Sequence, residues 1–299
     1  MTTQHVDAPS VELAHLDDLW FQVAGTMCNL ACKHCFISCN PHNHSFGFLE
    51  LDDIRRALEE SVALGVKEYY FTGGEPFLHR DMTTILELTL RYGPATILTN
   101  GTVLRDEWLE RLRRADDASP YSLEFRVSLD GFTAAENDAV RGDGTFERIL
   151  VGVRQLLAHD FLPIVTVTRV HDDDDDGQLF EGFVTLLKEH GYDRPRVKIL
   201  PTLRIGAEVG RQRGYRPSER VTVEMLRDFD VGQLICNHSR VVTDRGVYVC
   251  PILLESADAR LGKTLAESRQ SFGLTHQACY TCWQYGALCS NASALQRDA

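Results

Sequence analysis

Three cysteines stand close together in the segment Cys28-Asn-Leu-Ala-Cys32-Lys-His-Cys35, three residues filling the first gap and two the second. A run that short can fold a loop around one metal centre. Three thiolates serve three irons of a cubane [4Fe–4S] cluster and leave the fourth iron open to a small molecule. The same residues also suit zinc, which wants four ligands and would recruit His34, His42, His44 or Cys39, or they are simply buried small hydrophobes. A second group follows: Cys236, Cys250, Cys279, Cys282 and Cys289, with the third and fourth two residues apart. Four thiolates can close a cluster completely or hold a structural zinc ion. With seven ligands assigned in this way, Cys39 and Cys289 are left over, as buried thiols or, in the case of Cys289, as a replacement ligand.

The rest of the composition narrows the setting. At 299 residues with 43% hydrophobic side chains the chain can bury a sizeable core. Nine cysteines in so long a chain are poorly explained by a disulfide framework, so ligation is the better account. No stretch of ~18 uninterrupted apolar residues is present, and the first ten residues lack the basic and apolar blocks of a signal peptide, so a cytoplasmic protein with no membrane partner is expected. A net charge of −12 argues against a broad nucleic-acid surface and for a small molecule or a peptide as substrate.

These cysteines need elements to position them. Apolar runs bounded by turn residues alternate with amphipathic stretches of helical period, the pattern of β–α units around a parallel sheet. Strands are expected at 19–24, 68–72, 95–99, 123–129, 164–170 and 196–200, and helices near 51–64, 83–92, 106–114, 146–159 and 178–189, with Gly65 and Gly191 as helix stops. Six strands with outer helices give an α/β fold, a partial (β/α)6 TIM-like barrel. In such barrels the segments just past the C-terminal strand ends line the site. The first cysteine loop, Gly73-Gly74-Glu75-Pro76, Thr99-Asn100-Gly101 and Ser128-Leu129-Asp130-Gly131 all fall there. The domain boundaries expected are an N-terminal extension to 18, the barrel over 19–203, a Gly- and Arg-rich connector over 204–233, and a small Cys-rich hairpin/helix domain over 234–299. Asp244-Arg-Gly246 marks a hairpin turn inside the last. The Asp172–Asp176 run is expected to be a solvated loop leading into a helix.

The cysteine spacing and the strand-end motifs resemble the radical S-adenosylmethionine (SAM) superfamily. The resemblance implies that a [4Fe–4S] cluster on Cys28, Cys32 and Cys35 chelates SAM. It also implies that Gly73, Gly74 and Glu75 meet the SAM amino group, and that Asn100, Ser128 and Arg141 contact the cofactor, Arg141 at its carboxylate. The chemistry implied is reductive cleavage of SAM to methionine and a 5′-deoxyadenosyl radical, which abstracts a substrate hydrogen, with flavodoxin or ferredoxin as electron donor. The later cysteines resemble the twitch relative of the SPASM domain, which implies a second cluster on Cys236, Cys250, Cys279 and Cys282; the further cysteines of a full SPASM domain are missing. Dehydrogenation, epimerisation with Cys289 or Cys39 returning the hydrogen, and peptide crosslinking are the outcomes such a site can have. No N-terminal domain of the kind that binds leader peptides is evident, so a small sugar-like natural product is expected ahead of a peptide. The rival is an iron–sulfur or zinc module with no catalysis and no SAM site.

Overall fold

The computed structural model describes residues 8–170 and 176–286; Cys289 and residues 172–175 of the acidic run lie outside them. Along the chain run β1 (Ser10–Val11), β2 (Asp18–Gln22), α1 (Leu51–Leu64), β3 (Glu68–Thr72), α2 (Met82–Thr89), β4 (Ala95–Thr99), α3 (Asp106–Asp117) and β5 (Leu123–Ser128). Next come α4 (Ala134–Arg141), α5 (Thr145–Ala158), β6 (Ile164–Thr168), α6 (Asp176–Glu189) and β7 (Arg196–Leu200). The remainder holds α7 (Ile235–His238), β8 (Ser239–Thr243), β9 (Gly246–Tyr248), β10 (Arg260–Gly262), β11 (Phe272–Gly273) and α8 (Ala278–Tyr285).

Strands β2 to β7 pair in sequence order and all in parallel, as a partial (β/α)6 barrel requires. The two-residue period sorts their side chains. Leu19, Phe21, Tyr69, Phe71, Ile97, Phe125, Val127, Val165 and Val167 face the helices and pack with Ile54, Leu58, Leu109, Ile149 and Val153 in one buried core. Each such side chain contributes roughly 1.5–3 kcal/mol by leaving water. The alternate positions build a different interior. Trp20 and Tyr70 stack at 4.3 Å, the Arg126 guanidinium lies 5.4 Å from the Tyr70 ring, and Glu124 receives Arg196 at 2.7 Å.

Two departures from the expected layout concern how the later chain attaches. β8 lies parallel to β2, Trp20 opposite Val241, so a seventh parallel strand joins the sheet on its other side. The expected hairpin then turns at Asp244–Gly246 into β9, and β10 adds antiparallel at the edge. β1 pairs with β11, which fastens the N-terminal residues to the Cys-rich part. Gly65 and Gly191 stop α1 and α6 in the left-handed region, at φ +75° and +85°. Helix α4 was not foreseen, yet its start is written in the sequence: Thr133 and Glu136 form a reciprocal capping box. Among the described residues no helix is long and apolar enough to cross a membrane.

Candidate active site

The loop after β2 is long but closed on itself. Gly25, at φ +53°, turns the chain out of β2 where any Cβ would strike the Phe46 carbonyl at 2.1 Å. Thr26 Oγ1 donates to the Asn43 carbonyl at 3.0 Å, and Leu49 N returns to the Val23 carbonyl at 3.0 Å. This frame holds Cys28, Cys32 and Cys35. Cys28 Sγ accepts from Leu30 N at 3.4 Å and from Asn100 Nδ2 at 3.8 Å, and Cys35 Sγ accepts from Cys39 N at 3.2 Å. Burial pushes the Cys28 thiol up to about 12 and raises Cys32. Hydrogen bonding from Cys39 outweighs burial at Cys35 and brings it down to about 6. Three thiols on one closed loop are the donors an iron–sulfur cluster takes, and binding would displace their protons.

The glycine turn after β3 packs directly on this loop. A Cβ on Gly74 would lie 1.9 Å from the Met27 carbonyl, and one on Gly73, at φ +142°, 2.9 Å from Ala24 N. Glu75 N donates to the Met27 carbonyl at 3.0 Å. The Glu75 carboxylate itself has no exposed surface. It accepts from Phe77 N at 3.0 Å and Thr99 Oγ1 at 2.7 Å on one oxygen, and from Asn100 N at 2.7 Å on the other. Its side chain is thus a brace between the ends of β3 and β4. Burial raises this carboxyl to about 7, against those three hydrogen bonds. Asn100 is similarly committed: its amide bonds Asn29 Oδ1 at 2.9 Å and receives Thr102 N at 2.9 Å.

Past β5 stand Ser128, Asp130 and, further on, Arg141, and Asp130 is the organiser of Arg141. Ser128 ends β5, partly exposed. Asp130, two residues on, has a side chain with no exposed surface; its Oδ2 lies 2.6 Å from Arg141 Nε and 3.0 Å from His34 Nε2. The contact with Arg141 is an ion pair, and Oδ1 accepts from Thr168 N at 2.8 Å. Burial opposes the Asp130 charge, and Arg141 and His34 overcome it, holding the carboxyl well below the usual range. His34 was considered from sequence only as a zinc donor; here its ring ties the cysteine loop to the end of β5. Lys33 N adds a second tie, to the Val140 carbonyl of α4 at 2.9 Å.

Asp130→Asn should leave Arg141 buried without its counter-charge, a change that typically costs about 3–5 kcal/mol. The gap between wild type and variant in chemical denaturation at neutral pH should be of that size. A depressed carboxyl stabilises above its unfolded value and loses that contribution as pH falls through its folded value, so the gap should shrink in acid. A gap that is small at neutral pH, or constant into acid, would contradict this role.

The second cysteine group also assembles. Cys236 on α7, Cys250 after β9, and Cys279 and Cys282 one turn apart on α8 line a single apolar cavity with Ile252 and Phe272. Burial pushes Cys236 up to about 11 and Cys279 well above its ordinary value. Four thiols lining one cavity could serve a closed cluster or a structural zinc ion. Cys39 is buried and donates its backbone N–H to Cys35 Sγ at 3.2 Å.

Residues 23–199, well over half the chain, match the family model described as the radical SAM superfamily. The chain belongs to the radical SAM superfamily. It is 34% identical over 144 residues to the AdoMet-dependent heme synthase of Methanosarcina barkeri, covering 48% of this chain and 39% of that one. It is 31% identical over 186 residues to the mycofactocin maturase MftC of Mycobacterium ulcerans, covering 61% and 47%. The chain therefore spans less than half the length of these curated relatives. Among solved structures, Streptococcus suis SuiB bound to its precursor peptide SuiA superposes with a TM-score of 0.64 at 14% identity, over 91% of this chain and 65% of that one. That likeness is one of fold. As a superfamily member the protein is an enzyme whose family uses a [4Fe–4S] cluster and SAM.

Proposed function

We propose that this enzyme binds SAM at the mouth formed by Cys28, Cys32, Cys35, the Gly73–Pro76 turn, Asn100, Ser128 and Arg141, and that it acts on a peptide. The observation that carries the first part is the direct contact of the glycine turn with the cysteine loop, which leaves no room for a Cβ between them. When bound, the cluster and SAM supply a 5′-deoxyadenosyl radical that removes a hydrogen atom from the substrate. The chain's own contributions are the placement of three thiols, backbone carbonyls for an ammonium group, and a guanidinium held by Asp130 for a carboxylate. Cys236, Cys250, Cys279 and Cys282 would hold a second cluster.

The sugar-like substrate expected from the sequence finds no support in these likenesses. A peptide is favoured by the maturase name of MftC and by the precursor peptide in the SuiB structure. An open cleft of about 450 Å³ fits that reading. Its lining includes Phe36, Arg204, Tyr215, Glu255 and Ala278, and so joins the segment that follows Cys35 to the segment that precedes Cys279.

Anaerobically reconstituted, dithionite-reduced protein should form 5′-deoxyadenosine from SAM slowly by itself and faster with peptides encoded beside its gene, read by chromatography. Intact clusters and bound SAM with no deoxyadenosine under any reductant would favour the non-catalytic module. Stimulation by nucleotide sugars and not by peptides would overturn the substrate class alone.

A further inference from the structure

Arg240 on β8 is fully buried. Its nitrogens are spent on four backbone carbonyls: Nε on Ser268 at 2.9 Å, Nη1 on Cys236 at 2.8 Å and Ser239 at 2.7 Å, and Nη2 on Gln270 at 3.0 Å. Among the described residues no carboxylate pairs with it. Carbonyl dipoles satisfy its hydrogen bonds but bring no counter-charge, and a buried charge without one is costly. The carbonyl that Nη1 holds at 2.8 Å belongs to Cys236, which with Cys250, Cys279 and Cys282 lines the apolar cavity. Four thiolates outweigh the cationic core of an iron–sulfur cubane and leave the centre anionic, more so once reduced; the net charge around a cluster is one of the settings of its potential. A permanent cation against the backbone of one ligand would offset that charge.

We propose that Arg240 is the fixed counter-charge of a cluster on Cys236, Cys250, Cys279 and Cys282 and raises its reduction potential, making the centre a better electron acceptor. The inference rests on the reading that these cysteines hold iron. Its consequence is functional: an acceptor of higher potential favours withdrawal of the second electron from a substrate radical over its return.

The experiment uses the full chain with Cys28, Cys32 and Cys35 replaced by alanine, so that only the second group can bind. Iron analysis comes first, and zinc or no metal there removes the reading and the inference together. With iron present, the potential is followed by EPR during redox titration. R240Q should shift it to more negative values, lowering the reduced-to-oxidised ratio at a fixed potential by about tenfold, which is about 59 mV for a one-electron couple. R240K keeps the charge and should stay within a few-fold of the parent even as it loses hydrogen bonds. An unchanged potential in R240Q, or equal shifts in both variants, overturns the inference and leaves the cluster reading intact. Denaturation of apo and loaded protein supplies a second measurement. Loss of a counter-charge should destabilise the loaded form more than the apo form. Equal losses, or an R240Q apoprotein that does not fold, would make Arg240 a carbonyl clamp and nothing more.

Discussion

Replacing Cys28, Cys32 and Cys35 together by alanine should take the reconstituted protein from about eight irons to about four and bring deoxyadenosine formation down to background. The two losses have one origin, since the open iron that would meet SAM belongs to the three-thiol centre while four thiols remain at the other. The apoprotein should stay folded, because a buried free cysteine behaves as a small hydrophobe and the loop is held by other bonds: Thr26 to Asn43, Leu49 to Val23, and Lys33 to Val140. Thermal unfolding of the apo variant close to that of the wild type would exclude general collapse as the cause of iron loss. Iron content that does not change in the triple variant sinks the assignment. A variant that loses all its iron assigns the metal to the first group alone and leaves the second as buried thiols.

Much of this site could be read from the chain because it is local. The strands β3, β4 and β7 and the helix α1 fall on their expected residues, each being a short apolar or periodic run with its own stop signals. The strand-end motifs follow from those strands by the geometry of parallel β–α units. β2, β5 and β6 end earlier than expected because Val23, Leu129 and Val170 are as apolar as the strand residues before them, and composition alone does not mark where pairing stops. What was missed is non-local or reciprocal. The Asp130 carboxylate joins His34, Arg141 and Thr168, from three separate stretches, and no spacing rule connects them. Likewise the pairing of β8 with β2 and of β1 with β11 depends on strands meeting across most of the chain. Helix α4 is the exception, since its Thr133–Glu136 box was there to be found.

Glu75 lends itself to a sharper test, because burial and hydrogen bonding pull its carboxyl in opposite directions and burial wins. Its folded value of about 7 stands above the ordinary 4.5. Between those two values the native state binds the extra proton, so the contribution of this group to stability is full below about pH 4.5 and is lost as pH rises through about 7. At 1.36 kcal/mol per unit the loss is on the order of 3 kcal/mol, undiluted by solvent because the group has no exposed surface. Apo wild-type protein should accordingly lose stability to denaturant from pH 4.5 to 7 beyond what its other carboxylates account for. Glu75→Gln removes the titration and should flatten that slope. It carries its own cost, for an amide facing the Thr99 and Phe77 donors with its oxygen sets its NH2 against the Asn100 N–H, and an unsatisfied buried donor costs about 1–3 kcal/mol. Glu75→Ala orphans all three donors, adds a cavity, and should cost upward of about 3 kcal/mol. Because Phe77 and Asn100 flank the turn that touches the cysteine loop, Glu75→Ala should also weaken SAM binding in iron-loaded protein more than Glu75→Gln does, read by equilibrium dialysis. Equal SAM affinity in both variants and wild type would show that the brace stabilises the barrel without shaping the SAM mouth, and an undiminished pH slope in Glu75→Gln would assign the titration to another group.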